Sequence, residues 1–266
     1  MIEAAILGVA VWGPGLEGWA ASRLVLAGDA PYERRPSPPP PPAILAATER
    51  RRTGPVVRLA LAVAHEAAAA SGLAPGSLRA VFGSGNGDGL VVGGILDALA
   101  VGGAAERVVS PTQVHNSVHN AAAGYWSIAT ASRQPATCLG AHDWTWAASL
   151  LKAVADVAAE GQPVLLCCYD HPLPPPLDAT RPMADAFGAG LVLGPSGAGL
   201  ARVGVAYGAD PPLPGTTLPR NQALHALAQG NPAARSLRLL EALACRAPGR
   251  HSVPYLDGRL DIEVRF

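Results

Sequence analysis

Charge is scarce in this chain: only 15% of its residues are Asp, Glu, Lys or Arg, and the formal net charge is zero. A surface that binds nucleic acid needs a local excess of Lys and Arg to neutralise phosphates, so nucleic acid is excluded as a main partner. The basic residues are nearly all arginine, and Ala, Gly and Pro are abundant, which reads as compositional bias without functional content. Cysteine is also sparse. Cys138, Cys167, Cys168 and Cys245 fit neither a zinc spacing nor a disulfide framework. No apolar run reaches membrane-spanning length without a Gly, a Pro or a charge inside it. The opening Met1-Ile-Glu-Ala-Ala-Ile-Leu lacks the basic segment of a signal peptide, so the expected location is the cytoplasm.

What is abundant is apolar residue content. With 266 residues and 49% hydrophobic composition, the chain can bury a large core in one domain. Ala4 to Val11 reads as a buried strand ending in a Gly-Pro-Gly turn, followed by a short helix from Trp19 to Leu26. The proline tract Pro36 to Pro42 must be extended loop, since proline supplies no amide donor. Val56 to Ser71 has helical spacing and stops at Gly72. Arg79 to Phe82 is a strand, Leu90 to Ala100 a helix, Val108 to Gln113 extended or loop, and Asn116 to Thr130 helix. Ala136 to Gly140 is a short strand, Trp144 to Ala159 a strong helix closed by Gly161, and Val164 to Tyr169 a buried strand. Ala189 to Leu193 and Gly199 to Tyr207 read as a pair of strands. A helix starts at Asn231-Pro232 and runs to about Ala244, and Val253 to Phe266 reads as a hairpin turning at Asp257-Gly258. Strands alternating with helices predict an α/β fold with a central mixed sheet flanked by helices, in one domain over 1–266.

Three constellations carry potential chemistry. The run Gly83-Ser84-Gly85-Asn86-Gly87-Asp88-Gly89 lies between a strand and a helix, where phosphates bind. It lacks the Lys-Ser/Thr of a P-loop and the spacing of a dinucleotide fingerprint, so a tight turn is the better reading and no cofactor is expected. His115-Asn116-Ser117-Val118-His119-Asn120 sets two histidines four apart, but no acid or cysteine stands nearby to complete a metal site. A hydrogen-bonded network or an interface fits this cluster better, and no metal is expected. The turn Leu139-Gly140-Ala141-His142-Asp143-Trp144-Thr145 stands where α/β enzymes hold a nucleophile, yet it has neither Cys nor Ser. Asp143 and Thr145 read as helix caps there, because neighbours on one turn cannot align as nucleophile, base and orienting group. Cys138, in the preceding strand, and Cys167-Cys168 read as small core residues.

Taken in order, these segments resemble the N-terminal half of the β-ketoacyl synthases, in the thiolase-like superfamily. The resemblance runs through Ile6-Leu7-Gly8-Val9, the turn Gly83 to Gly87, Asn120, Ala123 and Gly124, Arg133 and Pro135, and Gly161 to Tyr169. It continues in Thr180-Arg181-Pro182-Met183 and Gly190-Leu191-Val192-Leu193-Gly194, so that it covers about residues 1–207. Residues 208–266 form a helix-and-hairpin extension too short for the family's catalytic C-terminal half. Counting forward from Pro135 puts Asp143 at the position of the family's nucleophilic cysteine; counting back from Gly161 puts Thr145 there. On either count the thiol is missing.

Within the superfamily this pattern is similar to the chain length factor subunits of aryl-polyene (xanthomonadin-type pigment) biosynthesis, above all in residues 115–129. The resemblance implies a subunit without catalytic residues of its own. It would pair with an active β-ketoacyl synthase as a heterodimer and shape that enzyme's acyl tunnel, with an acyl carrier protein as an optional further contact. Whether the chain pairs with itself when alone stays open. The resemblance also places the partner interface between His115 and Gly140, with His115, Asn116, His119, Asn120, Tyr125 and Trp126 as its residues. Tyr125 and Trp126 fit an internal core equally well. The competing functions are a stand-alone acyltransferase or hydrolase using Thr145, Asp143 or His142, and a scaffold subunit unrelated to acyl chains.

Overall fold

A computed structural model describes residues 1–100, 108–195, 197, 199–212 and 217–266. The chain opens with a long strand β1 (Ile2–Gly13), a two-residue strand β2 (Leu16–Glu17) and helix α1 (Trp19–Ala27). Beyond the proline-rich loop lie one helical turn, α2 (Ala47–Arg50), and the long helix α3 (Pro55–Ser71). Helix α3 has Pro in its first turn and ends at Gly72, whose φ of 71° is the left-handed conformation glycine adopts at little cost. Strand β3 (Arg79–Gly83) enters the glycine-rich turn, followed by α4 (Gly89–Ala100), α5 (Pro111–Ser117), α6 (Ala121–Thr130) and strand β4 (Ala136–Leu139). Then come α7 (Thr145–Glu160), β5 (Val164–Asp170), β6 (Phe187–Gly194) and β7 (Ala201–Gly208). The chain closes with α8 (His225–Gly230), α9 (Leu237–Ala244), β8 (Gly249–Tyr255) and β9 (Gly258–Arg265).

Among the described residues, nine strands form one mixed sheet in the order β4-β3-β5-β6-β1-β7-β9-β8, with β2 paired to β1. Strand β3 is parallel to both β4 and β5, and the other pairings are antiparallel. Every residue of β5 is buried, as expected for a strand covered on both faces. Its two cysteines point to opposite sides. Cys167 joins the core under α3 and α6, and Cys168 joins the core around α7. Helix α3 lies so close to the sheet that a methyl group on Gly8 would overlap the Ala67 carbonyl, and one on Gly190 would overlap that of Val63. Those two glycines, with the alanines of α3, set the separation of the layers.

Helix α7 fills the other face, packing on β1, β3 and β5 and reaching β7 and β8. Its buried apolar side chains are Trp146, Ala147, Leu150, Ala153, Val154 and Val157. Ala158 is exposed because the helix is leaving the core in its last turn.

Four local expectations are corrected. The strands Phe187–Gly194 and Ala201–Gly208 do not pair with each other; they lie on opposite sides of β1, which is long enough to hold both. The segment 111–130 is two helices, because Ser110 and Gln113 form a reciprocal capping box that starts α5 inside the stretch expected to be extended or loop. Val118, at ψ 143°, then breaks the run before α6. The expected helix from Asn231 is a short 3₁₀ turn (Ala233–Ser236) leading into α9. Its polar start is as expected, since the Asn231 side-chain oxygen accepts from the amides of Ala233 and Ala234.

Candidate functional site

The three parallel strands β3, β4 and β5 end together, and their ends are the polar centre of the molecule. Crevices at the carboxyl ends of parallel strands are where open α/β sheets place ligands. The Ser84 amide donates to the Leu139 carbonyl at 3.1 Å, tying the exit of β3 to the exit of β4.

Asp170, the last residue of β5, is completely buried and occupies the glycine-rich turn. Its Oδ1 accepts from the Gly85 amide (2.8 Å), the Ser84 hydroxyl (3.0 Å) and the Asn86 amide (3.1 Å). Successive backbone amides of this kind form an anion-binding nest, and here the anion is the protein's own carboxylate. That explains why glycine is required without invoking phosphate. Gly87 needs its φ of 60°, and a methyl on Gly85 would stand 3.1 Å from the His142 carbonyl and 3.2 Å from the Arg181 guanidinium. Burial pushes the Asp170 carboxyl up to about 6, against the opposing pull of the Asn86, Ser84 and Gly85 donors and the Arg181 charge.

The elbow between β4 and α7 is the second element. Its backbone is left-handed at His142 (φ 50°), a conformation that non-glycine residues rarely adopt and that elsewhere marks strained strand-to-helix turns. Thr145 is fully buried; its Oγ1 accepts from the Ala141 amide at 3.0 Å and donates to the His142 carbonyl at 2.7 Å. It therefore fastens the turn shut. Asp143 departs from the cap expected of it. Its carboxylate lies 2.7 Å from an Arg181 nitrogen and 3.5 Å from one of Arg235, with the ring of His142 at 3.6 Å. Two largely buried guanidiniums require a counter-charge, and Asp143 provides it. Arg235 arrives from the turn before α9, so this ion pair also ties the C-terminal segment to the elbow.

No thiol serves this turn. The Cys138 thiol is half-buried in β4 and is raised by desolvation. Cys168 is pushed up to about 12, chiefly by burial. A thiol protonated at neutral pH is a poor nucleophile.

The His115–Asn120 cluster divides into a buried part and an exposed part. Asn116 is buried; its Nδ2 donates to the Arg52 carbonyl at 3.0 Å and its Oδ1 accepts from the Tyr125 hydroxyl at 3.0 Å. The His115 ring meets the Tyr125 ring edge-on, with centroids 5.8 Å apart. His119 reaches the Ser84 carbonyl at 2.9 Å and so touches the glycine-rich turn, while Asn120 is exposed. Tyr125 and Trp126 do not reach the surface as interface anchors. Each is 1% exposed inside the α3 core, because the small residues of α3 and α6 leave room for large rings between them. Among the described residues, no group of three or more His, Cys, Asp or Glu could hold a metal.

Around this centre lies an apolar surface that the motifs did not reveal. Helix α4 is apolar along most of its length, yet buries only Gly89 and Gly93. Leu96, Leu99, Val114, Val118, Ile128 and Trp144 are all exposed, and β4 is an edge strand of the sheet among the described residues. The sequence signal for it was the uniform apolarity of α4, which marks a helix covered on most sides. Arg181, which stood out only as part of the Thr180-Arg181-Pro182-Met183 motif, Arg235 and Asp170 were not read as site residues; only the folded chain brings them together.

Residues 27–214 match the family model described as "Beta-ketoacyl synthase, N-terminal domain". A search of the curated proteins finds no match. Among solved structures, the chain is similar to a ketosynthase in complex with its chain length factor from Xenorhabdus doucetiae (TM-score 0.71, 17% identity, both chains covered in full). It is similar as well to the ishigamide ketosynthase/chain length factor (TM-score 0.67, 14% identity, 99% of each chain). A third similar structure is a type II polyketide ketosynthase complexed with its acyl-carrier protein (TM-score 0.74, 10% identity, 99% of each chain). The architecture is thus the thiolase-like ketosynthase half-fold, a mixed sheet flanked by helices.

Proposed function

Because this chain belongs to the β-ketoacyl synthase N-terminal domain family, we propose that it is a catalytically degenerate subunit of the chain length factor type. It pairs with an active ketosynthase and shapes that enzyme's acyl tunnel in polyketide-type biosynthesis, with aryl-polyene pigments as the product class. The observation that carries this reading is the elbow. The turn is built and strained as a nucleophile elbow, but its residues are committed to closing it: Thr145 bonds across the turn and Asp143 neutralises two arginines.

The partner surface is the apolar face of α4, α5 and α6 together with the edge of β4 and the exposed His115, His119 and Asn120. Leu96, Val118, Ile128 and Trp144 lie on it. An uncharged edge strand invites pairing with another sheet. The complexes named above set a ketosynthase against a chain length factor, which supports a partner of the same fold. The whole chain 1–266 acts as one domain in this reading, with 208–266 adding β9 and β8 to the sheet through β7.

Co-expression with a ketosynthase encoded beside this chain, followed by size analysis, tests the pairing. A stable one-to-one complex is expected. Two proteins that elute separately at every concentration contradict it. The competing reading, an acyltransferase or hydrolase acting alone, has one observation in its favour: the exposed His142 ring beside Asp143. Acyl release by the purified chain that disappears in His142→Ala would support that reading instead.

A further inference from the structure

On the side of the molecule formed by the C-terminal extension, α9 and β8 enclose a pocket of about 90 Å³ lined by Arg220, Arg238, Glu241, Cys245, Arg250 and His251. Nothing in the proposed pairing uses it. At liquid density that space holds roughly three waters, or one tetrahedral oxyanion.

The pocket's charges are unbalanced. Glu241, whose side chain is 4% exposed, is already saturated: it accepts from the Arg220 and Asn221 amides and pairs with Arg238. The Arg220 guanidinium has no ion pair among the described residues. Arg250, 75% exposed, shares Glu263 at 3.0 Å. Of the three arginines lining the pocket, Arg238 is paired with Glu241 and Arg250 with Glu263, so the Arg220 guanidinium is the charge left uncompensated among the described residues. Two polar atoms are also left over: Arg238 Nε and His251 Nε2 are buried without a hydrogen-bond partner among the described residues. His251 is itself 6% exposed. Burial, then the charge of Arg238, drives its imidazole down to about 3, so the ring is neutral at physiological pH.

Orphaned buried polar atoms cost free energy unless something occupies the space between them, and the neutral His251 ring can turn its N–H to an acceptor there. Water would supply hydrogen bonds but would leave the arginine excess uncompensated. A carboxylate would meet one guanidinium face. A phosphoryl group can accept from several donors at once and meets the uncompensated Arg220 charge while sharing those of Arg238 and Arg250. We propose that this pocket binds a phosphoryl group, as free phosphate or as the terminal phosphate of a monoester whose remainder leaves past Arg220 and Arg250.

The test is calorimetric titration of the full-length protein at low salt with three probes: inorganic phosphate, glycerol 3-phosphate and acetate. Saturable one-to-one binding of phosphate is expected, with acetate weaker. Comparable binding of glycerol 3-phosphate assigns the monoester form, and its failure assigns free phosphate. In the Arg220→Ala/Arg250→Ala double variant, affinity falls at least about tenfold, the scale of losing one charge-assisted hydrogen bond. Both side chains sit at the rim, and Arg220 holds Glu241 through its amide, so folding is retained. His251→Leu probes the buried wall and is expected to lower affinity similarly. If it fails to fold, the double variant decides. Absence of a binding isotherm at millimolar phosphate, or undiminished affinity in the double variant, overturns the proposal.

Discussion

Asp170 Oδ1 lies 2.8 Å from the Gly85 amide nitrogen, so a buried carboxylate at the end of one strand forms the floor of the turn that leaves its neighbour. The contact fixes the geometry of the polar centre, because Gly85 in turn packs under the His142 carbonyl and Arg181. Asp170→Ala leaves three donors unsatisfied. It is expected to lose about 3 kcal/mol of stability in urea unfolding, with Asp170→Asn losing less because its amide oxygen still accepts.

The same residue sets a pH dependence. Its carboxyl is raised from the ordinary 3.8 to about 6 in the folded chain, so across that window the folded state holds a proton that the unfolded state has released. The contribution is fully present below about pH 4 and is lost as pH rises towards 6, a change of order 2–3 kcal/mol. Urea midpoints measured at intervals over this range should show the slope in the parent and its loss in Asp170→Asn.

Thr145→Val removes both hydrogen bonds that close the elbow while keeping side-chain volume. An unfolding free energy lower by about 1–3 kcal/mol is expected, with Thr145→Ser close to the parent. Equal stability of the valine and parent proteins would show that the turn is held elsewhere.

Asp143→Asn leaves Arg181 and Arg235 facing each other. The carboxylate is 47% exposed, so screening by solvent limits the loss to about 1 kcal/mol. That loss should shrink as salt is added, and Asp143→Asn/Arg181→Gln should recover part of it. A loss independent of salt would argue against the charge account.

The apolar face yields a prediction that separates core from interface. Val118→Glu and Ile128→Glu, at residues 49% and 56% exposed, should leave unfolding within about 0.5 kcal/mol of the parent yet abolish association with the ketosynthase. Trp126→Glu should instead unfold the chain, since its ring lies within the core. Retained association in a folded Val118→Glu/Ile128→Glu double variant would move the interface elsewhere.

The regular elements were largely legible because hydrophobic period and punctuation agree locally. Val56 to Ser71 ends at Gly72 as the sequence indicated, and the final hairpin forms where expected, although its two-residue loop is Leu256-Asp257, with Gly258 already paired to Tyr255. Failures came where one residue has two uses. Ser110 and Gln113 resemble any polar pair until they close on each other, and Trp126 is large and apolar whether it meets a partner or its own core. The loss of the thiol was plain from residues 139–145, but the commitment of Asp143 was not. It depends on Arg181 and Arg235, which lie 38 and 92 positions away and come to it only through the fold.

The central claim is that this chain positions another subunit's chemistry and performs none itself. Intact-mass analysis of the chain co-purified with its ketosynthase, after incubation with an acylated carrier protein, addresses it directly. The account predicts one acyl adduct, carried by the ketosynthase, and an unchanged mass for this chain. A stoichiometric adduct on this chain, at His142, Thr145 or Cys138, would contradict it.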